Sequence, residues 1–338
     1  MATVAELDAS IRAVADESQF SGLIAVDQAS SAPLRRAIGL ADRRWGTAFD
    51  TAMRASIASG TKGFTALTVM ALIESGALHL PTTARSVLGD DLPLIDDAVT
   101  IEQLLAHRSG IGDYLGEDAL GDINDHVMPI PVHRLACAED YLEVLAGHAQ
   151  VHPPGQRFVY NNGGFVVLAL IAERCSGVPH DRLVLDLVCR PAGMQATSFL
   201  PADALPSGVA TGYLDADGLR TNALHLPIIG CGDGGLFSTL DDMARFWQAL
   251  FEGAIVPTST VRAMTTVRSR STERNGSYGL GFWLDHELPT VYLEGYDAGV
   301  SFRSLHDPER GTTLTVISNW SNGAWPMLEA LQLALGFE

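Results

Sequence analysis

The sequence predicts an α/β (α+β) fold: one antiparallel sheet built from both ends of the chain, flanked by helices, with an inserted all-helical region. Three observations lead there. Short apolar runs separated by turn residues occupy residues 22–58, strand patterns return only from residue 278, and the stretch between them reads mainly as helices joined by Pro/Gly/Asp loops. A chain of 338 residues that is 47% hydrophobic has material for a real core, which excludes disorder as a description of the whole. The expected division is a sheet domain from 1–79 and 229–338, a helical domain from 80–228, and a functional cleft between the two.

Residues 1–20 carry Glu6, Asp8, Arg12, Asp16 and Glu17 at intervals that suit an amphipathic helix and leave no apolar core for a secretory leader. The runs 22–27 (GLIAVD) and 34–40, with a Ser/Ala/Pro turn between them, predict a hairpin, and a third short run ends at Ala58. From Ser59 to Ser75 the apolar positions Phe64, Leu67, Met70 and Ala71 recur with helical period and Gly76 closes the segment, so a helix is expected to begin at Ser59. The clearest helix of the middle region is 161–175, and Ser238/Thr239 ahead of Asp241/Asp242 read as a helix cap. Late strands are expected at 278–284, 290–293, 300–305 and 312–318, followed by an amphipathic helix at 323–335. No repeat of fixed period or low-complexity tract occurs, which removes solenoids.

Charge and composition exclude several function classes. With 22 Lys+Arg against 40 Asp+Glu the net charge is −18, which repels phosphate backbones, so no nucleic-acid partner is expected. Apolar stretches such as 165–172 fall far short of the roughly twenty residues of a membrane span, so no transmembrane segment is expected. Cys137, Cys175, Cys189 and Cys231 form no C-x-x-C pair; they read as buried thiols of a cytoplasmic protein. His148 and His152 have metal-pair spacing, yet Pro153-Pro154 follows at once and no third ligand stands in register, so no metal is expected. Gly230-x-Gly232-x-Gly234-Gly235 lacks the G-x-G-x-x-G spacing and the βαβ surroundings of a dinucleotide loop, and no other cofactor signal is present. The absence of a G-x-S-x-G elbow argues against an α/β-hydrolase.

One residue stands out. Of the 22 basic residues only Lys62 is lysine, and unlike arginine it can lose its proton inside a protein. In Ser59-Gly60-Thr61-Lys62 it lies one helical turn beyond a serine, at a helix start where unpaired N–H groups and the dipole favour a developing oxyanion. A desolvated amine beside a hydroxyl can take its proton, which is what a Ser-Lys nucleophile requires. The plainer reading is a capping serine beside a solvated lysine.

A second segment shifts that balance. In Pro153-Pro154-Gly155-Gln156-Arg157-Phe158-Val159-Tyr160-Asn161-Asn162 a rigid turn leads into Tyr160-x-Asn162 ahead of a long apolar helix. Together with Ser59-x-x-Lys62, with Leu104-Leu105-Ala106-His107-Arg108-Ser109-Gly110, with Gly234-Gly235-Leu236-Phe237-Ser238-Thr239 and with Tyr278-Gly279-Leu280-Gly281-Phe282, this resembles the serine β-lactamase and DD-peptidase superfamily. The likeness is to the branch holding class C β-lactamases, family VIII esterases and D-amino-acid amidases, and it spans roughly residues 20–320 in the expected order.

The resemblance implies the β-lactamase/transpeptidase-like fold, with Ser59 as acylated nucleophile, Lys62 as base or proton shuttle, and Tyr160 as the partner that passes the proton to the leaving group. Asn162 would hold Lys62 or the substrate. A phenol has a pKa of about 10, so Tyr160 must work with Lys62 as one titrating pair. The third box departs from the family pattern of Lys-Thr-Gly or His-x-Gly. Either Leu293-Glu294-Gly295 or Gly295-Tyr296-Asp297 falls there, and neither begins with a base. Gly295 would let backbone approach the substrate, the Tyr296 N–H would join that of Ser59 as oxyanion hole, and Asp113, Tyr114 and Tyr296 would shape the acyl or alcohol pocket. Arg303 is a weak replacement for the missing base, and His107 is expected to be a satisfied, semi-buried structural histidine.

The expected activity is a cofactor-independent serine hydrolase working through an acyl-enzyme on small-molecule esters or amides, with esters favoured. The alternatives are lactam hydrolysis by a β-lactamase, a D-stereospecific carboxypeptidase or aminopeptidase, and, from another class, a lactamase-fold binding protein without turnover.

Overall fold

The computed structural model describes residues 2–29, 31–116, 121–271 and 276–337. In chain order the elements are α1 (Val4–Ser18), β1 (Gly22–Gln28), β2 (Leu34–Ile38), β3 (Leu40–Asp42), β4 (Thr47–Ala48), β5 (Ala55–Ser56), α2 (Thr61–Glu74), α3 (Ala84–Leu88), α4 (Ile101–Leu105), α5 (Leu142–Leu145), α6 (Asn162–Ser176) and α7 (His180–Val184). After them come β6 (Ser198–Phe199), β7 (Leu236–Ser238), α8 (Leu240–Glu252), α9 (Thr258–Met264), β8 (Ser269–Arg270), β9 (Ser277–Tyr278), β10 (Trp283–Leu284), β11 (Val291–Asp297), β12 (Val300–Asp307), β13 (Thr312–Ser318) and α10 (Ala324–Leu335).

The main sheet has eight strands in the order β2-β1-β13-β12-β11-β10-β9-β8, each pair antiparallel. The two chain ends meet where β1 pairs with β13, Gly22 opposite Ser318 and Gln28 opposite Thr312. Period-2 alternation sorts the side chains of this seam between two layers. Ile24, Val26, Leu314 and Val316 pack with Leu7 and Ile11 of α1 and Leu328 and Leu331 of α10, while Leu23, Ala25 and Ile317 join the core formed with α2, α6 and α8. The α1 N-terminus is closed by a capping box between Thr3 and Glu6, and α8 by Thr239, whose hydroxyl accepts the Asp242 N–H.

Three expectations need correction. The helix does not begin at Ser59: Ala58–Gly60 form a 3₁₀ turn with Ala58 at φ 43°, and α2 starts at Thr61 without a side-chain cap. Such a left-handed alanine costs about 1 kcal/mol or more and persists only where its surroundings fix it. Thr61 supplies part of that fixing, its hydroxyl donating to the Ala58 carbonyl at 2.6 Å and accepting the Leu236 N–H at 3.1 Å. The single strand expected at 278–284 is two strands, because Gly281 takes φ 88° where a Cβ would lie 2.1 Å from the Ala66 methyl. The middle region is not wholly helical either, since β6 pairs with β7. Among the described residues no helix is long and apolar enough to cross a membrane.

The cysteines also divide differently from expectation. Cys189 and Cys231 are buried, but Cys137 and Cys175 are exposed, and all four are free thiols.

One buried and one half-buried histidine make the fold sensitive to acid. His180 packs behind α2 with its Nε2 3.3 Å from the Thr65 hydroxyl, and His306 of β12 stacks on Trp247 at 5.7 Å. Burial lowers each imidazole pKa to about 4. The fold thus favours the neutral rings, so their contribution is whole above pH about 6.5 and is lost as the pH falls from there towards 4. Protonation below that range disfavours the fold by up to about 3 kcal/mol per ring relative to neutral pH, on the scale of 1.4 kcal/mol per pKa unit. The urea midpoint is expected to fall steadily from pH 7 to pH 4, and less steeply in His306→Gln. A flat profile across that range would contradict this account.

Candidate active site

The Ser59 turn, the first turn of α2, the start of α6 and the loop before β7 converge on one amine. Lys62 is only 2% exposed. Its Nζ donates to Ser59 Oγ at 2.9 Å, to Asn162 Oδ1 at 2.7 Å and to the Asp233 carbonyl at 2.8 Å. It also lies 4.9 Å from the ring centroid of Tyr160 and 5.8 Å from that of Phe165. Two of these oxygens belong to carbonyls, which only accept. A neutral amine can donate to both of them and keep its lone pair directed at the Ser59 hydroxyl, the arrangement an activated nucleophile needs.

The 3₁₀ turn matters here. A capping serine would spend its hydroxyl on its own helix; the turn instead carries Ser59 into the cleft wall with its oxygen on Lys62.

Asn162 is the first residue of α6, and its orientation is set from behind. Asp113 accepts the Asn162 N–H at 3.0 Å, the Asn162 side-chain N–H at 3.3 Å and the Gly163 N–H at 2.8 Å. A carboxylate on the open N–H groups of a helix start is favoured by the dipole, and it leaves Asn162 Oδ1 turned to Lys62. Asp113 therefore holds Asn162 and is not among the residues lining the cleft, contrary to the pocket-shaping place expected for it.

Tyr160 is held by rings. It stacks on Trp283 with centroids 5.9 Å apart and lies 4.4 Å from the His107 imidazole. His107 is fully buried rather than semi-buried, at φ 53°, with Nδ1 accepting the Asn161 N–H at 3.1 Å. Its Nε2 has no hydrogen-bond partner among the described residues, so it is not fully satisfied either. Burial, with Lys62 adding to it, drives its pKa well below the usual imidazole value, which keeps the ring neutral and unsuited to act as a base here.

A cleft opens over the Ser59 turn. Ser59, Asn162, Tyr114, Tyr296, Asp233 and Asp297 are among the residues lining it. Sequence reasoning missed Asp233, which is 7% exposed. The Tyr114 hydroxyl donates to its carboxylate while its carbonyl takes Lys62. Burial raises the Asp233 pKa against the lowering influence of Lys62 and Tyr114, and burial raises that of Tyr114 well above the ordinary phenol value. The only trace in the sequence is an acid embedded between Gly232 and Gly234.

The third-box segment lies on β11. Gly295 presses on the Ser59 turn so closely that a Cβ there would stand 2.1 Å from the Ile57 carbonyl oxygen, so backbone approach is what this glycine provides. Leu293, the first residue of one register, meets α2, where a Cβ on Gly63 would come within 2.5 Å of it. Tyr296 borders the cleft and packs its ring 6.2 Å from that of Trp325 in α10. Arg303 does not replace the missing base: it lies outside the cleft lining, ion-paired with Glu294 and 5.0 Å from the Tyr292 ring. Among the described residues, no Arg, Lys or His lines the cleft. Among the described residues no three His, Cys, Asp or Glu are grouped to hold a metal ion.

Sequence and fold are similar to those of known proteins. The penicillin binding protein from Bacillus halodurans superposes with a TM-score of 0.89 at 31% identity, covering 96% of this chain and 99% of that one. Penicillin-binding protein 4* of Bacillus subtilis is 26% identical, over 90% of this chain and 69% of its own length. The D-amino acid amidase from Ochrobactrum anthropi SV3, in complex with L-phenylalanine amide, shares the fold at a TM-score of 0.81 and 22% identity, with 98% and 97% covered. Residues 7–336 match the Beta-lactamase family, and with nearly its whole length matched the chain belongs to that family, within the serine β-lactamase and DD-peptidase superfamily.

Proposed function

We propose that this protein hydrolyses small esters or amides through an acyl-enzyme on Ser59, with Lys62 as base and Tyr160 as the proton partner for the leaving group. One observation carries the reading: the only lysine of the chain is buried and hydrogen-bonded to Ser59 Oγ at 2.9 Å, while two carbonyls accept from it. Ser59 Oγ attacks the substrate carbonyl as its proton passes to Lys62 Nζ. The proton then moves by way of Tyr160 to the departing alcohol or amine, and water repeats the sequence on the acyl-enzyme. The N–H groups of Ser59 and Tyr296 are the proposed oxyanion donors.

Esters are favoured over carboxylate-bearing lactams and D-Ala-D-Ala-type ends. An alkoxide leaves with less protonation than an amine, and the described residues of the cleft lining offer no cation for a substrate carboxylate. A second reading, an amide whose acyl group carries an ammonium, draws support from Asp233 and Asp297 in the same lining.

The test is intact-mass analysis after mixing with a panel of nitrophenyl esters, amino-acid amides and a chromogenic cephalosporin. An acyl adduct mapping to Ser59, with kcat/KM for nitrophenyl butyrate above that for the cephalosporin, is the expected result. An adduct on another residue, or none from any substrate, would end the proposal.

A further inference from the structure

In a protein with 40 acidic and 22 basic residues, arginines should find carboxylates easily, and most of those described do. Arg35, Arg36, Arg44, Arg85, Arg134, Arg174, Arg190, Arg245, Arg268, Arg303 and Arg310 are all ion-paired. Nine other described arginines have no ion pair within the described residues, and three of these nine, Arg108, Arg157 and Arg270, line one recess. Its wall is completed by Phe158 and by Tyr160.

The recess is separate from the Ser59 cleft, sharing none of its lining residues. Arg157 belongs to the turn that delivers Tyr160, and Arg270 to β8. Arg108 is anchored by donating to the Gly155 and Arg268 carbonyls, so its charge is fixed but not neutralised. Arg157 touches the His152 ring nitrogen, which brings no negative charge. Arg268, on the same wall, has its charge met by Glu102 at 3.1 Å while its Nε is buried without a partner. Three guanidiniums with no carboxylate partner among the described residues, gathered around an open recess, give it a concentrated positive potential, and planar guanidiniums match the two-oxygen edge of a carboxylate or phosphate.

We propose that this recess binds a small oxyanion, a carboxylate or phosphate group, against the Tyr160 wall. The anion is either carried on the alcohol portion of a substrate or bound as a free ion, and its recognition does not depend on turnover at Ser59.

The test is calorimetric titration of inorganic phosphate into the whole protein at ionic strength held constant with sodium chloride. Saturable binding is expected for the wild type, and binding at least tenfold weaker for Arg157→Gln/Arg270→Gln. Both side chains are exposed, so that variant is expected to keep its fold, and Arg157→Lys/Arg270→Lys is expected to recover part of the affinity. Heats no larger than those for chloride, or equal binding by the glutamine variant, would overturn the proposal. Hydrolysis separates the two sources, with phenyl butyrate compared with the butyryl ester of 3-hydroxybenzoate. A several-fold loss of kcat/KM confined to the carboxylate ester in the glutamine variant assigns the anion to the substrate, and equal behaviour of the two esters assigns a free ion. Because binding is read by heat, a failure of the Ser59 mechanism would leave this result intact.

Discussion

Ser59→Ala is expected to abolish the acyl adduct and to lower kcat/KM for a nitrophenyl ester by at least about 1000-fold, since removing a nucleophile leaves only the contribution of binding and oxyanion donors. The fold should survive. Ser59 sits in the cleft wall, partly exposed, and its hydroxyl is one of several groups that hold Lys62. Asn162 Oδ1 and the Asp233 carbonyl remain to hold the amine, so the variant does not strand a buried cation. Far-UV circular dichroism and thermal midpoint are therefore expected to match the wild type within about 2 °C, the effect of a few tenths of a kcal/mol in a domain of this size. Wild-type turnover by a well-folded Ser59→Ala protein would remove the nucleophile from the proposal and with it the acyl-enzyme.

What the sequence disclosed about this site, and what it hid, follows from how local each feature is. Ser59 and Lys62 are one turn apart, and the solitary lysine made the pair conspicuous before any coordinates. Tyr160-x-Asn162 was equally legible, because the turn before it and the apolar helix after it are both written locally. The seam of the sheet was readable for a different reason: alternating apolar runs at the two chain ends need each other to bury their faces. The left-handed Ala58 was not readable, since alanine carries no local signal for that conformation and the turn is fixed by Thr61 and β7 from elsewhere. Asp233 contributes its main-chain carbonyl to Lys62, and a backbone acceptor leaves no pattern in side-chain types. Asp113 reaches Asn162 across 49 positions, so its role as a support could not be separated from a place in the pocket. The strand break at Gly281 depends on how near α2 comes to β9 and β10, a distance that only the packed core determines.

The sharper question is whether Lys62 acts by its charge or by its lone pair, and arginine separates the two. Lys62→Arg keeps a cation beside Ser59 but presents a group that does not give up its proton in proteins, while Lys62→Met keeps an unbranched chain and removes both charge and base. If the amine takes the Ser59 proton, both variants are expected to lose about 100-fold to 10,000-fold in kcat/KM and to acylate correspondingly slowly, the range a positioned general base supplies. If its service is only to hold Asn162 and Asp233 in place, the arginine variant should retain activity to within about tenfold, which would refute the base assignment while leaving Ser59 as nucleophile. Stability distinguishes a chemical loss from a structural one. Methionine leaves two buried carbonyl oxygens without their donor, costing about 1–3 kcal/mol each when nothing else reaches them, and arginine must fit a larger head where lysine is 2% exposed. Rates should therefore be compared at temperatures where circular dichroism shows each variant folded. Addition of a small primary amine such as methylamine to Lys62→Ala then offers the decisive reading. Recovery of acylation that follows the concentration of the neutral amine, and not that of its conjugate acid, is expected if a lone pair directed at Ser59 is what the buried lysine contributes.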